Sequence, residues 1–387
     1  MKKWILTMLA MALVAMLSFG CASEEKAEEA APATEAAAPA GEIILGVAGA
    51  HSGDLASYGL PTINAAELVA KKYNAAGGIN GMMVKVLPQD DQCKPEVATN
   101  AATKLLSENV NVVIGHICSG ATKAALPLYT ESKIVVMSPS ATSTDLTQSG
   151  EYPTFFRTIG YDADQGRFAA EFTKNTLGAT KVAVIHDKGD YGKGFAEFAQ
   201  KTLEGLGGVE VVLFEGITPG AVDYSAVVQK IKQSGADAVI FGGYHPEASK
   251  IVTQMSQKDL KIPFVSDDGV KDDTFIKVAG EFAEGVYATG PEDLSANAMA
   301  QQAIEEHKAT YGTDPGAFYV QAYAAAQALL NAIEKAGSTD YDAIVNVLHN
   351  ETVETSVGNI KFDAKGDAEG VGFSMYQVQN GAYVVVQ

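Results

Sequence analysis

The chain has 387 residues, with 28 Lys plus Arg against 47 Asp plus Glu, for a formal net charge of −19. That length is too great for one small core and suits two medium domains. The charge excludes nucleic acid as a partner, because gripping a phosphate backbone takes a basic face.

The first stretch, MKKWILTMLAMALVAMLSFGC, carries Lys2 and Lys3, then an apolar run, then Gly20 before Cys21. Residues 1–21 read as a secretory signal. Gly20-Cys21 resembles a bacterial lipobox, in which Cys21 becomes a lipidated N-terminus, although Ser18 stands where Leu is commonest in that motif. Simple secretion without lipid is the alternative. Residues 22–41 are mostly Ala, Glu and Pro, with no aromatic or large aliphatic side chain. Such a segment buries too little apolar surface to offset its ordering entropy, so it reads as a disordered tether, roughly 65 Å long when stretched. An exported chain leaves Cys93 and Cys118 in an oxidising compartment, either as one disulfide or as two free buried thiols.

From Glu42 onward, short apolar runs alternate with segments of helical spacing. EIILGVA, MMVKVLP, VNVVIGH and KIVVMSP are strand-like, and each is followed by a helical pattern, the last being SATSTDLTQ. The pattern restarts at TFFRTIG and continues through TKVAVIHD, VEVVLFEG, ADAVIFGG, KIPFVSD and GVYATG. Two helices then follow, over about 296–311 and 317–336, and a hairpin turning at Asn380-Gly381 closes the chain. This is an α/β chain built from two doubly wound parallel sheets.

In such sheets ligands bind beyond the carboxyl ends of the strands. Those ends carry GAHSG, GHICSGAT, SPSAT, HDKGDYG, GGYHPE and SDDG. In CSGAT a helix begins at Ser119, so Ser119 is either an N-cap or part of an anion site on the free N–H groups. Ser140 and Thr142 offer further polar groups at the next strand end. Asp268 either caps the following helix or pairs with a ligand ammonium. An acid on one half and an anion site on the other suit a zwitterion. Tyr58, Tyr191 and Tyr244, each near Gly at a strand end, can supply rings to an apolar side chain and hydroxyls to polar groups.

Enzyme chemistry finds no support. His116, His186 and His245 each follow a strand, but they lack metal-site spacing, so no metal or other cofactor is expected. GDYGKG is not a phosphate-binding GxxxxGK[ST] loop, GVAGAHSG fails the GxGxxG spacing, and no GxSxG triad is present.

Taken together, GAHSGDLASYG, GGINGMMVKVLPQDDQC, IGHICSGAT, PSAT, RTIGYDADQG, VIHDKGDYGKG, FGGYHPE and DPGAF resemble the periplasmic branched-chain amino acid-binding proteins of ABC transporters, from about Glu42 to the C-terminus. The resemblance implies a type I fold of two lobes, 42–160 with 291–367 and 161–290 with 368–387, joined by three crossovers near Gly160, Gly290 and Asp367. It implies a Cys93–Cys118 disulfide that steadies the loop presenting Ser119. Ser119 and Thr142 would bind the ligand carboxylate, the Ser140 carbonyl and Asp268 would take the ammonium, and Tyr191 and Tyr244 would close from the second lobe. Tyr58, Ile117, Cys118 and Phe318 would line the apolar pocket. The expected ligand is Leu, Ile or Val, and the expected partner is a separate ATP-driven membrane permease. Membrane contact would come only through a lipid anchor, at the periplasmic or cell surface. A receptor for amides that signals in the same fold is the rival reading. Relatives carry Glu where this chain has Asp268, which shortens the acid's reach by one carbon.

Overall fold

The computed structural model describes residues 41–387; the expected signal, Cys21 and residues 22–40 of the expected tether lie outside the described residues. Strands β1 (Glu42–Gly49), β2 (Met83–Asp90), β3 (Val112–Ile114), β4 (Val135–Ser138) and β5 (Phe155–Arg157) form a parallel sheet in the order β2-β1-β3-β4-β5. The period-2 alternation of β1 decides what covers each face. Ile43, Leu45 and Val47 pack with Val112, Ile114 and Met137 beneath α1 (Ala56–Ala75) and the Ala-rich α11 (Tyr319–Ala336). Ile44 and Ala48 point the other way, into a core with α2 (Pro95–Ser107) and α3 (Ser119–Glu131).

A second sheet runs β14-β13-β10-β9-β8-β6-β7. Its parallel part comprises β6 (Lys181–His186), β7 (Glu210–Gly216), β8 (Ala238–Gly242), β9 (Phe264–Ser266) and β10 (Tyr287–Pro291). The antiparallel hairpin β13 (Phe373–Gln379) and β14 (Ala382–Val385) extends its edge. The hairpin turns at Asn380 and Gly381, both at positive φ as a primed turn demands. One face packs with α5 (Asp162–Asn175) and α6 (Asp190–Leu206). The other packs with α7 (Ser225–Ser234), α8 (His245–Gln257) and α9 (Asp273–Ala279).

The chain leaves the first sheet after β5 and enters the second at α5. It returns after β10, placing α10 (Ala298–Tyr311) and α11 beside α1, and crosses again after Asp367 into β13. The third passage lies against β5: the Arg157 amide donates to the Gly366 carbonyl at 3.0 Å, and Arg157 bridges to Asp367. Gly366 sits at φ +94°, and a Cβ there would stand 2.1 Å from the Phe155 carbonyl oxygen, so this close passage requires glycine.

The fold differs from the sequence reading at two places. Of the segment SATSTDLTQ, only α4 (Asp145–Gln148) is helical. Residues 139–144 stay a loop because side chains capture their amides: the Ser138 hydroxyl accepts from Ser140 and Ala141, and Ser119 Oγ accepts from Ser143. Beyond α11 there is also a further helix, α12 (Tyr341–Asn350), and a small hairpin, β11 (Val353–Thr355) with β12 (Gly358–Ile360).

Candidate functional site

The wall on the first sheet is built from the loop after β3. Cys93 and Cys118 form a disulfide with Cα atoms 5.4 Å apart. Beneath it, the fully buried Asp91 accepts from the Cys93 amide at 2.7 Å and pairs with His116 Nδ1 at 2.6 Å, while His116 Nε2 lies 3.2 Å from the Tyr129 hydroxyl. This network fixes the start of α3. Cys118 occupies the N-cap position with no side-chain cap, and Ser119 is the first helical residue. Ser119 is therefore not the cap, and its hydroxyl instead ties α3 to the 139–144 loop through the Ser143 amide at 3.1 Å. The N–H groups of the first turn find no partner inside a helix, and they carry its positive dipole end. Ser140 spends its hydroxyl on the Ile117 carbonyl at 2.8 Å, and no described residue donates to its own carbonyl.

The opposing wall comes from the second sheet. Here glycines allow backbone to touch backbone: a Cβ on Gly242 would lie 2.0 Å from the Gly192 carbonyl oxygen, so α6 begins directly on the end of β8. That contact brings Tyr191 and Tyr244 side by side, with ring centroids 5.2 Å apart. Tyr244 continues to Tyr58 at 6.1 Å and Tyr58 to Phe318 at 5.9 Å, giving a curved aromatic wall. Asp268 follows β9. It does not cap the next helix; Asp272 does, accepting from the Thr274 amide at 2.7 Å.

Tyr58, Ile117, Ser119, Ser140, Tyr191, Tyr244, Asp268 and Phe318 meet around one small, tightly closed cavity, with Gly269 completing its lining. Gly269 was not foreseen; its amide donates to the Tyr191 hydroxyl at 2.8 Å and its carbonyl accepts from Tyr58. Two foreseen residues stand off this wall. Cys118 lines a wider adjoining groove with Cys93, Asp187 and Glu247. Thr142 is fully buried within the 139–144 loop, its hydroxyl beside the Asp162 carboxyl.

The electrostatics of the cavity are one-sided. Asp268 is 2% exposed, accepts from the Tyr191 hydroxyl through Oδ1, and leaves Oδ2 with no hydrogen bond. Burial pushes its pKa up to about 6, with the Tyr191 hydroxyl and the nearby Gln165 amide pulling back. Asp267 beside it is raised further by burial and by the Asp268 charge. Asp162, the first residue of α5, escaped the sequence reading because an acid at a helix start reads as ordinary dipole complementation. It is fully buried; burial raises its pKa, the neighbouring Thr142 hydroxyl pulls it back, and the Asp268 charge adds to the rise. An unsatisfied buried carboxylate is costly, and a cation with several N–H donors removes that cost.

The three histidines that follow strands are spent on different neighbours. His116 bonds Asp91, while the rings of His186 and His245 pack at a tilt against Phe214 and Tyr58. Among the described residues no group of three or more His, Cys, Asp or Glu is placed to hold a metal ion. No described helix is long and apolar enough to cross a membrane.

Two parallel sheets whose carboxyl ends meet over a cavity, acidic on one side and opened by a helix N-terminus on the other, define a two-lobed solute-binding protein. The chain belongs to the periplasmic binding protein family, whose model matches residues 42–382. It is 35% identical over 335 residues to the leucine-, isoleucine-, valine-, threonine- and alanine-binding protein of Pseudomonas aeruginosa, covering 87% of this chain and 89% of that one. It is likewise 35% identical to the Leu/Ile/Val-binding protein of Escherichia coli, covering 87% of this chain and 90% of the relative. The branched-chain amino acid transporter substrate-binding protein LivJ of Streptococcus pneumoniae, solved in complex with isoleucine, superposes with a TM-score of 0.81 at 30% identity, covering 89% of this chain and 99% of that one.

Proposed function

We propose that this chain is the extracytoplasmic solute-binding component of an ABC transporter, capturing a branched-chain amino acid between its lobes and presenting it to a separate membrane permease. The observation that carries this reading is the lone Oδ2 of Asp268, buried in a cavity that has the open N-terminus of α3 on its opposite side. One end asks for a positive nitrogen and the other for an anion.

In this reading Ser119 and the α3 amides hold the carboxylate, with Thr142 buried in the adjoining loop, while Asp268 and the Ser140 carbonyl hold the ammonium. Tyr58, Ile117 and Phe318 shelter the side chain, with Cys118 behind them, and Tyr191 and Tyr244 close over it. Burial of the aliphatic side chain contributes about 2 kcal/mol, and the charged ends gain strength because the site is dry. Ligands differing by one methylene are separated by only about 1–3 kcal/mol, so Leu, Ile and Val are all accepted. The lobes, 42–160 with 291–367 and 161–290 with 368–387, swing as bodies about the three crossovers. The ligand binds and leaves unchanged, so no catalysis is involved. Cys21 carries a lipid anchor, and the segment after it tethers the binding domain to the membrane. An amide receptor in the same fold would bury Asp268 with no counter-charge, which argues against it.

A thermal-shift screen against the twenty amino acids and small amides tests the reading, since a ligand that binds only the native state raises its melting temperature. Stabilisation by Leu, Ile and Val supports it; stabilisation by amides alone refutes it.

A further inference from the structure

Arg157 is the largest fully buried side chain in the described residues, and it lies outside the cavity wall. Its guanidinium joins three separate parts of the chain. Nη1 donates to the carbonyls of Ala141 at 3.2 Å and Ser143 at 2.9 Å, the two residues that flank Thr142. Nε donates to Asp367 Oδ1 on the third crossover, and Nη2 to the Thr147 hydroxyl in α4. The other oxygen of Asp367 accepts from Thr147 at 2.9 Å and Gln148 at 2.6 Å. The guanidinium carbon also stands 5.3 Å from the ring of Tyr161, on the first crossover.

We infer that Arg157 is a positioning residue for the ligand site: it fixes the 139–144 loop and, through Asp367 and Tyr161, couples that loop to two of the three crossovers. The inference rests on the proposed ligand reading for its effect on affinity, but not for its effect on the loop. The planar, rigid fork matters here. It grips two carbonyls one residue apart on either side of Thr142 while facing a carboxylate, which a lysine's single point charge cannot reproduce. The loop itself has no helix or strand to hold it, so its shape depends on such side-chain anchors. Lobe closure must change the backbone angles of the crossovers, and both crossovers touched by Arg157 thereby feel the loop that faces the ligand. Coupling of this kind is reciprocal: filling the cavity must protect the third crossover, and loosening the crossover must weaken the ligand.

The test combines hydrogen exchange of the empty protein, its melting temperature, and leucine titration, for wild type, Arg157→Lys and Thr147→Val. Thr147→Val removes one spoke of the network and leaves the buried ion pair intact, so it serves if Arg157→Lys does not fold. Both variants are expected to exchange faster in residues 139–148 and 361–367, with the rest of the first lobe unchanged, and to bind leucine roughly tenfold more weakly for Lys and less so for Val. Wild type is expected to gain protection at 361–367 on adding leucine. A folded variant whose 139–148 amides exchange as in wild type, or a uniform rise across the whole lobe, overturns the inference and leaves Arg157 a general core residue. If wild type shows no heat with leucine, the ligand reading fails instead, and the exchange pattern of the empty variants still decides the positioning role.

Discussion

The Tyr58 hydroxyl donates a 2.6 Å hydrogen bond to the Gly269 carbonyl, joining α1 beside the first sheet to the loop after β9 in the second. Gly269 also donates to Tyr191, which in turn bonds Asp268. A lobe-to-lobe bond thus ends on the acid assigned to the ammonium, and closure and ligand charge share one short chain of contacts.

That chain makes Tyr58→Phe informative. The ring and its packing remain, and only the bridge is lost. Leucine is expected to dissociate about three to ten times faster, in line with one net hydrogen bond, with little change in association rate and none in the melting temperature of the empty protein. Stopped-flow fluorescence measures both rates.

Asp268→Asn keeps the shape and the Tyr191 contact while removing the charge. Leucine affinity is expected to fall by roughly a hundredfold or more, because the buried ammonium loses its counter-charge. The empty variant melts at or above wild type, since burial already disfavours this carboxylate. Calorimetric titration and a melting curve check the two halves.

Proton linkage follows from the same group. In the empty protein the Asp268 pKa is raised from 3.8 to about 6 by burial. Its folded pKa lies above the unfolded value, so the stability it contributes is present below pH 3.8 and is lost as pH rises to about 6. Leucine needs the carboxylate, so its affinity runs the other way. Between pH 7 and 5 binding weakens, approaching about tenfold per unit below pH 6, with a proton released as leucine binds. The groups facing Asp268 are Asp162, Asp267, Tyr191, Gln165 and Lys271; burial raises Asp162 and Asp267 as well. Titration in buffers of different ionisation enthalpy counts the proton.

The disulfide closes a loop spanning 25 residues of sequence separation, and replacing both cysteines with serine is expected to destabilise the empty protein by about 3 kcal/mol. Denaturant melts measure this. At the rim, Lys123 reaches Asp190 across the lobes at 3.1 Å, but both are exposed. Lys123→Ala changes leucine affinity by less than about 1 kcal/mol, and the effect fades in high salt.

Most of the fold was legible because strand and helix periods differ and alternate cleanly from Glu42 on. The site was legible where chemistry sits at strand ends: Ser119, Asp268 and the three tyrosines all converge. The misses share a cause. Asp162 and Arg157 look like a helix-start acid and a strand-end base in sequence, and only tertiary burial turns them into a buried carboxyl and a four-way anchor. Residues 140–144 read as helix in sequence because their Ser, Thr and Ala content hides the side-chain bonds to backbone that hold the loop open. Gly269 acts through its backbone alone, which residue type does not reveal.

The central claim is that one cavity neutralises both ends of a small zwitterion around an aliphatic middle. Comparing leucine with 4-methylpentanoate, the same molecule without its amino group, by calorimetric titration at pH 7.5 tests it most directly. Leucine is expected to bind saturably and 4-methylpentanoate not at all at the same concentrations; comparable affinity for the two removes the ammonium from the recognition.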